Sequence, residues 1–248
     1  MVNGNKKMIL QSDDLVKSFG GVTAINHLSL TIEKGTVFGI IGPNGSGKTT
    51  FFNLVTGIYH PNSGKVTFNG RDITGLRPHQ IAELGIGRTF QIPAPFSKMT
   101  VLENVMVSTF IRASSLKESR NMASEILERV RLDEKANTLV ANVTLEDRKR
   151  LELARALGTQ PSLLLLDEVM AGLNPSEVKG AIELIRSLRT GELTIIVVEH
   201  IMDVILSLCD RIAVLDYGQK IAEDVPDQIV NDKEVIRAYL GDRYSARN

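Results

Sequence analysis

The sequence predicts an α/β protein with a mainly parallel sheet, a small antiparallel β layer and an inserted α-helical subdomain. Short, β-branched apolar runs without polar alternation are bounded by turn residues, which is typical of parallel strands covered on both faces. Alternating segments near the start of the chain favour the antiparallel layer. The middle of the chain has helical periodicity and no core strand, which indicates the inserted subdomain.

Two kinds of strand are predicted in chain order. Alternating patterns predict antiparallel strands at residues 8–19, 28–35 and 65–70. Buried apolar runs predict parallel strands at residues 36–42, 163–167, 193–200 and 211–218.

The helical subdomain is expected between about residues 93 and 157. One helical face of residues 115–132 is apolar and carries Met122, Ile126, Leu127 and Val130. The sequence has no internal repeat or low-complexity segment, and its length and apolar content predict a single domain over residues 1–248. Its α/β core would comprise about residues 7–92 and 158–248.

Composition excludes several classes of protein. Apolar residues make up 43% of the chain, and 29 basic residues balance 29 acidic residues. This zero formal charge excludes disorder through charge excess and argues against a broad nucleic-acid surface. No secretory signal or run of about 18 apolar residues is present. The single cysteine, Cys209, excludes an internal disulfide and indicates a reducing compartment, and we expect it to be a small buried apolar side chain.

The clearest motif is GPNGSGKTT, which directly follows the predicted strand at 36–42. It fits the pattern G-x-x-x-x-G-K-[ST] with Gly42, Gly47, Lys48 and Thr49. Glycines let backbone N–H groups surround a phosphate chain, the lysine neutralises it, and the threonine hydroxyl is a ligand for Mg²⁺. A plain glycine turn is the alternative. The motif predicts a P-loop NTPase core in which the phosphate-binding segment is Gly42, Pro43, Asn44, Gly45, Ser46, Gly47, Lys48, Thr49 and Thr50.

A pair of carboxylates follows the predicted strand at 163–167. Asp167 would lie at the carboxyl end of the sheet, where open α/β sheets bind ligands, and is a candidate for holding Mg²⁺ directly or through water. Glu168 is a candidate for polarising the water that attacks the γ-phosphate. The alternative is an exposed strand end with two solvated acids.

With these motifs the sequence resembles the ATPase subunits of ABC transporters over almost its whole length. The resemblance implies that Gln91, in GRTFQIPAPF, reaches Mg²⁺ and the attacking water, and that His200 contacts the γ-phosphate. It also implies that Phe19 stacks on adenine, although Phe19 could instead be a core residue. Residues 171–174, AGLN, match a loop that crosses the dimer interface. His27, His60 and His79 lack metal-ligand spacing and are expected to be structural.

Within this family the sequence is most similar to the LivG-type subunits of branched-chain amino-acid importers. Three segments carry the similarity: residues 85–105, 171–175 and 214–241. Importers of urea or amides and the ATPase of lipopolysaccharide export share similar segments, so these functions stay open. The sequence also leaves open a regulatory ATP-binding module with weak hydrolysis and an ABC ATPase of DNA repair or translation. One phosphate loop and no sustained heptads argue against the last of these.

The resemblance also implies partners and a place of action. We expect Mg²⁺ and ATP as cofactors, a second ATPase subunit, membrane permease subunits and, indirectly, a solute-binding protein, with no nucleic acid. The chain would act in the cytoplasm on the inner face of the cell membrane. The apolar stretch at residues 93–96 is either a docking surface for the permease or part of the local packing.

One segment departs from the family pattern. Where the family carries LSGGQ, this chain has Val143, Thr144, Leu145, Glu146 and Asp147, which keeps a hydroxyl but loses both glycines. Glu146 would bring negative charge towards a phosphate unless the loop turns it away, so this signature segment is expected to be weak. The chain would therefore work in an asymmetric heterodimer in which it supplies Glu168 to one site. Val169 replaces the proline that usually follows this glutamate.

Overall fold

The computed structural model describes residues 7–91, 94–189 and 192–240. Its strands are β1 (Met8–Phe19), β2 (Val22–Glu33), β3 (Val37–Ile41), β4 (Ser63–Phe68), β5 (Arg71–Asp72), β6 (Ile86–Arg88), β7 (Leu163–Asp167), β8 (Thr194–Val198), β9 (Arg211–Asp216) and β10 (Gln219–Asp224). Its helices are α1 (Lys48–Val55), α2 (Pro78–Leu84), α3 (Val101–Thr109), α4 (Leu116–Arg129), α5 (Leu145–Gly158), α6 (Pro175–Leu188), α7 (Met202–Leu208), α8 (Pro226–Ile229) and α9 (Lys233–Leu240).

The chain divides into two units, residues 1–81 with 194–248 and residues 82–193. In the first unit, β3 lies between β8 and β9 and is parallel to both, so Gly39 pairs with Val197 on one side and Ile212 on the other. All five residues of β3 and of β8 are buried, which explains their apolar sequences. The carboxyl end of β3 leads directly into the phosphate loop.

The first unit also contains the antiparallel layer. Its strand order is β2-β1-β4-β5, and Leu15, Leu28 and Val66 contribute buried side chains to it. The predicted antiparallel strands are therefore confirmed. The structure differs by starting β2 at Val22 instead of residue 28, because β1 turns back at once at Gly20 and pairs Phe19 with Val22.

The second unit combines helices with two parallel strands. β6 pairs with β7 from Ile86–Leu163 to Arg88–Leu165, and α3 contacts both α4 and α5. In the described part of residues 94–157 the regular elements are helices and 3₁₀ turns, apart from an isolated bridge between Thr100 and Leu139. The helical character predicted for this stretch is confirmed. The short strand β6 was not predicted, because three residues are too few to show a periodicity.

Burial confirms the expectation for the single cysteine. Cys209 is reduced and buried, as expected for a small apolar side chain. Within the described residues, no helix is long and apolar enough to cross a membrane.

Candidate functional site

The glycine loop of the first unit has a backbone that only glycine can adopt at two positions. Gly42 has φ of 152°, and a Cβ atom there would lie 2.0 Å from the carbonyl oxygen of Leu215. Gly47 has φ of 104°, and its Cβ would lie 2.6 Å from the carbonyl oxygen of Ala24. The loop therefore packs closely against β9 at its start and against β2 at its end. Between them, the position of a Gly45 Cβ faces open space, which leaves room for a ligand.

The side chain of Lys48 lies inside this loop and bonds its backbone. Its side chain is 6% exposed, and Nζ donates hydrogen bonds to the carbonyl oxygens of Gly42 at 2.8 Å and Pro43 at 3.0 Å. Lys48 is the first residue of α1, whose first turn has no acidic side chain. The ammonium group and the positive end of the helix dipole thus act on the same loop, which suits a bound anion. Thr49, the next residue, is exposed.

The remaining loop residues line a cleft of about 470 Å³ in the first unit. Pro43, Asn44, Gly45 and Ser46 form one wall, and the Asp216–Tyr217 hairpin and α9 form others. Thr50 is half-buried in α1. The backbone of Gly42 hydrogen-bonds the Tyr239 hydroxyl, which by itself lowers the pKa of this phenol. Burial has the larger effect, so the pKa of Tyr239 is raised. Helix α9 is thus part of the surroundings of the loop.

Phe19 is 42% exposed at the end of β1, so it is not a core residue. Its ring meets the Tyr59 ring edge-on, with centroids 5.0 Å apart, and Lys17 Nζ lies 5.0 Å from the Phe19 ring centroid. This small aromatic surface offers a face to a flat ring system. Sequence reasoning missed Tyr59 and Lys17, because they come from separate positions in the chain and share no motif.

His200 follows β8 and precedes α7, and its side chain is exposed. His27 hydrogen-bonds Asp14 through Nδ1 at 2.7 Å. Within the described residues, no cluster of three or more His, Cys, Asp or Glu could hold a metal ion.

Asp167, in the second unit, ends β7 and is 1% exposed, so it is not a solvated strand-end acid. Arg88 Nη2 donates to its Oδ2 at 2.9 Å, and the Arg88 side chain is itself only 6% exposed. Thr89 Oγ1 accepts a hydrogen bond from the Asp167 backbone N–H. Arg88 therefore holds the carboxylate of Asp167 and Thr89 holds its backbone, and these two residues lie three and two places before Gln91.

Gln91 and Glu168 are brought together in the second unit. Gln91 Nε2 donates to Glu168 Oε2 at 2.5 Å. Glu168 has φ of 49°, a left-handed conformation that is unfavourable for a residue with a Cβ and is commonly found at functional sites. Both residues were predicted from the sequence, but their contact was not.

Lys149 was missed by sequence reasoning. It lies on α5, is 8% exposed, and donates to the backbone oxygens of Gln91 at 3.3 Å and Glu168 at 3.4 Å. The run RKRLELARAL looks like an ordinary charged helix face, so only the burial of one of its cations marks the residue.

The altered signature segment forms the beginning of α5. Thr144 is the N-cap residue, and a capping box joins its hydroxyl and backbone to Asp147. Burial raises the pKa of Asp147, but hydrogen bonds from Lys135 and Thr144 outweigh it, so the pKa is below its usual value. Glu146 forms an ion pair with Arg150 one turn later. This pair neutralises the negative charge that the sequence led us to expect near a phosphate.

Residues 171–174 form the loop that leads into α6. Ala171 N–H donates to the Glu168 oxygen at 3.2 Å, and Asn174 caps α6 in a capping box with Glu177. Of the apolar stretch at 93–96, Pro93 lies outside the described residues, whereas Ala94 and Phe96 are exposed. Arg155 lies over the Phe96 ring at 5.4 Å.

Comparison with known proteins agrees with this geometry. The family model described as "ABC transporter" matches residues 25–171, and the model described as "Branched-chain amino acid ATP-binding cassette transporter" matches residues 219–245. The chain belongs to the ABC transporter family. It is an ATPase coupled to transport, and its phosphate loop is that of a P-loop NTPase.

Individual relatives are similar over nearly the whole chain. The high-affinity branched-chain amino acid transport ATP-binding protein LivG of Salmonella typhimurium is 41% identical, covering 94% of this chain and 98% of the relative. The lipopolysaccharide export system ATP-binding protein LptB of Haemophilus influenzae is 34% identical, covering 95% and 98%.

Solved structures show the same fold. A nucleotide-free ATP-binding cassette from an ABC transporter superposes with a TM-score of 0.86 at 32% identity, covering 95% of this chain and all of the other. A dimeric cassette in a post-hydrolysis state, bound to ADP and phosphate, has a TM-score of 0.79 at 26% identity, covering 88% and 99%.

Proposed function

We propose that this chain is the ATP-binding subunit of an importer and that its ATP hydrolysis drives branched-chain amino acids through a membrane permease. The observation that carries the proposal is the glycine loop with the Lys48 ammonium inside it, because this arrangement suits a nucleotide phosphate chain. The cargo is proposed from the relatives, since LivG of Salmonella typhimurium is named for branched-chain amino-acid transport.

In the first unit, we assign the triphosphate to the loop that ends at Lys48. Backbone N–H groups and the ammonium would bind its oxygens, and the Thr49 hydroxyl would hold Mg²⁺. Phe19, together with Tyr59, would stack on the adenine ring, and His200 would contact the γ-phosphate. When bound, Mg²⁺ supplies positive charge to the β- and γ-phosphate oxygens.

In the second unit, we assign the chemistry to Glu168. Its carboxylate would accept a proton from the attacking water, and the Gln91 amide, which already touches that carboxylate, would orient the water. Asp167 would hold Mg²⁺ directly or through water. Its ion pair with Arg88 fixes the carboxylate before any ligand arrives.

We also propose that the chain works beside a second, different ATPase subunit, on permease subunits at the inner face of the cell membrane, with a solute-binding protein as an indirect partner. The signature segment supports asymmetry, because Leu145 and Glu146 stand where the family pattern has glycines. Their side chains keep another molecule's phosphate away from the backbone at the start of α5. The partner's signature segment would then complete the site that uses Glu168.

Glu168→Gln tests the assignment of the general base. In the complex reconstituted with the second ATPase subunit and the permease, we expect ATP turnover to fall about 100-fold or more, because an amide accepts no proton from water. ATP should still stabilise the variant against thermal unfolding. The matched control is Glu125→Gln, at an exposed position of α4, which should leave turnover unchanged. Unchanged turnover in Glu168→Gln would refute the assignment.

Transport by the same reconstituted complex tests the cargo. Vesicles loaded with ATP and Mg²⁺ should accumulate labelled leucine, isoleucine or valine, and should accumulate neither urea nor short amides. Uptake of urea or amides, or movement of lipopolysaccharide instead, would replace the proposed cargo. ATP binding without turnover in the complete complex would identify a regulatory module.

A further inference from the structure

Lys149 is a buried cation on α5 with a specific set of partners. A lysine that is only 8% exposed needs compensation for the water that its ammonium has lost. Part of this compensation comes from two main-chain carbonyls, those of Gln91 and Glu168. The two carbonyls are 77 positions apart in the chain, so a single side chain joins two separate segments.

These segments are also joined by their side chains. Gln91 Nε2 donates to Glu168 Oε2 at 2.5 Å, while Lys149 Nζ bonds both backbones. A glutamine and a glutamate held only by their side-chain contact could swing together as a pair. Attachment of both backbones to one ammonium limits that freedom.

The conformation of Glu168 explains why such support is useful. With φ of 49° the residue is in a left-handed conformation, which persists only where the surroundings hold it. Its carbonyl oxygen accepts hydrogen bonds from Ala171 N–H at 3.2 Å and from Lys149 Nζ at 3.4 Å. The following residue is Val169, which lacks the fixed φ of a proline.

Two further charged residues on the same face of α5 as Lys149 also contact the chain around Gln91. Glu152 lies one turn later, accepts a hydrogen bond from the Phe90 backbone N–H, and is electrostatically attracted to Lys149. Arg155 donates to Glu152 at 2.9 Å and to the Ala94 oxygen at 3.4 Å. Lys149, Glu152 and Arg155 thus form a row of alternating charges along one helix face. This row contacts the backbone on both sides of Gln91.

We infer that Lys149 is a positioning residue for ATP hydrolysis, which sets the backbone of Glu168 and Gln91 so that the carboxylate meets the attacking water correctly. The inference rests on the proposed function. It also gives α5 a second role, because the helix begins at the signature segment and carries Lys149 one turn further on. A shift of the signature segment would therefore be transmitted to the chain's own catalytic carboxylate.

Lys149→Met tests the inference, because methionine keeps an unbranched apolar side chain and lacks both the charge and the donors. In the reconstituted complex we expect kcat to fall about 10- to 100-fold, as small misplacements of reacting groups do, with KM for ATP changed less than about twofold. Lys149→Arg should recover a substantial part of kcat. The matched control is Lys117→Met, at an exposed position of α4, which should leave kcat unchanged.

A second measurement does not depend on turnover. Hydrogen–deuterium exchange of peptides covering residues 86–91 and 168–172 should be faster in Lys149→Met than in wild type and Lys117→Met, with the peptide covering β9 unchanged. If Lys149→Met does not fold, Lys149→Gln is measured in the same way.

Three outcomes overturn the inference. They are an unchanged kcat, equal losses in kcat and in ATP affinity with faster exchange throughout the chain, and no recovery in Lys149→Arg. These outcomes are distinct from failure of the proposed function, in which the wild-type complex itself would show no ATP turnover.

Discussion

Arg88 and Asp167 show how single residues of this protein combine charge with burial. Their side chains are 6% and 2% exposed, and each compensates the charge of the other. Removing one member of such a pair leaves an uncompensated buried charge, which typically costs about 3–5 kcal/mol. Asp167 was identifiable from the sequence because it ends an apolar strand. Arg88 was not, because its role depends on a strand pairing that the sequence does not reveal.

Cys209 gives a prediction at the same scale. Burial, reinforced by the nearby Asp210, raises the pKa of its thiol to about 12. Because the thiolate is the reactive form, Cys209 should react with iodoacetamide at pH 8.5 only after unfolding in guanidinium chloride. Mass spectrometry of native and unfolded samples checks this outcome. Modification of the native protein at the rate of a small-molecule thiol would contradict it.

Helix α5 is the element for which the structure changes the interpretation of the sequence most. The sequence showed a signature segment without its two glycines, followed by a charged helix. The structure shows a helix with a capping box, an ion pair between Glu146 and Arg150, and Lys149 pointing into the second unit. The strands were predictable because burial leaves a regular apolar pattern. Contacts made by charged side chains leave no such pattern, so they required the structure.

Asp147→Asn tests the start of α5. At pH 7 we expect a loss of about 1–2 kcal/mol, because the substitution weakens the capping box and the bond from Lys135, whose own exposure reduces its contribution. The folded-state pKa of Asp147 is lowered, so its contribution is present above the unfolded pKa of about 3.9 and is lost as pH falls through the folded value.

The pH dependence of the difference in unfolding free energy between Asp147→Asn and wild type provides the control for this prediction. Urea unfolding at pH 7 should separate Asp147→Asn from wild type, and the difference should shrink below about pH 4 as the wild-type carboxyl takes up a proton. A difference that stays constant down to pH 3 would show that the carboxylate charge contributes nothing.

At the scale of the whole molecule, the fold class, seven of the strands and the position of the glycine loop followed from the sequence, whereas β5, β6 and β10 did not. The family matches agree with the predicted class. The left-handed Glu168, the Tyr59 ring beside Phe19 and the Lys149 contacts did not follow, since each depends on contacts between positions that are distant in the chain.

The proposed assembly into an asymmetric pair gives a prediction at this scale. With Glu168→Gln in this subunit, the remaining turnover of the complex reports on the site that receives this chain's signature segment. Replacing both Leu145 and Glu146 by glycine should raise that remaining turnover, because the backbone N–H groups become accessible to phosphate. The same double substitution in the isolated chain should leave its ATP affinity unchanged. No rise in the complex would show that these side chains do not limit the second site.

The internal bonds of Lys48 have a consequence for how nucleotide arrives. The loop is already shaped around its own ammonium, which donates to Gly42 and Pro43. In the proposed site, capture of a phosphate chain would give that ammonium new acceptors, with little chain ordering left to oppose association. We therefore expect the nucleotide-bound and apo forms of the loop to share one backbone path and to differ in what the Lys48 ammonium and the loop N–H groups bond, with on-rates that approach those of preformed receptors.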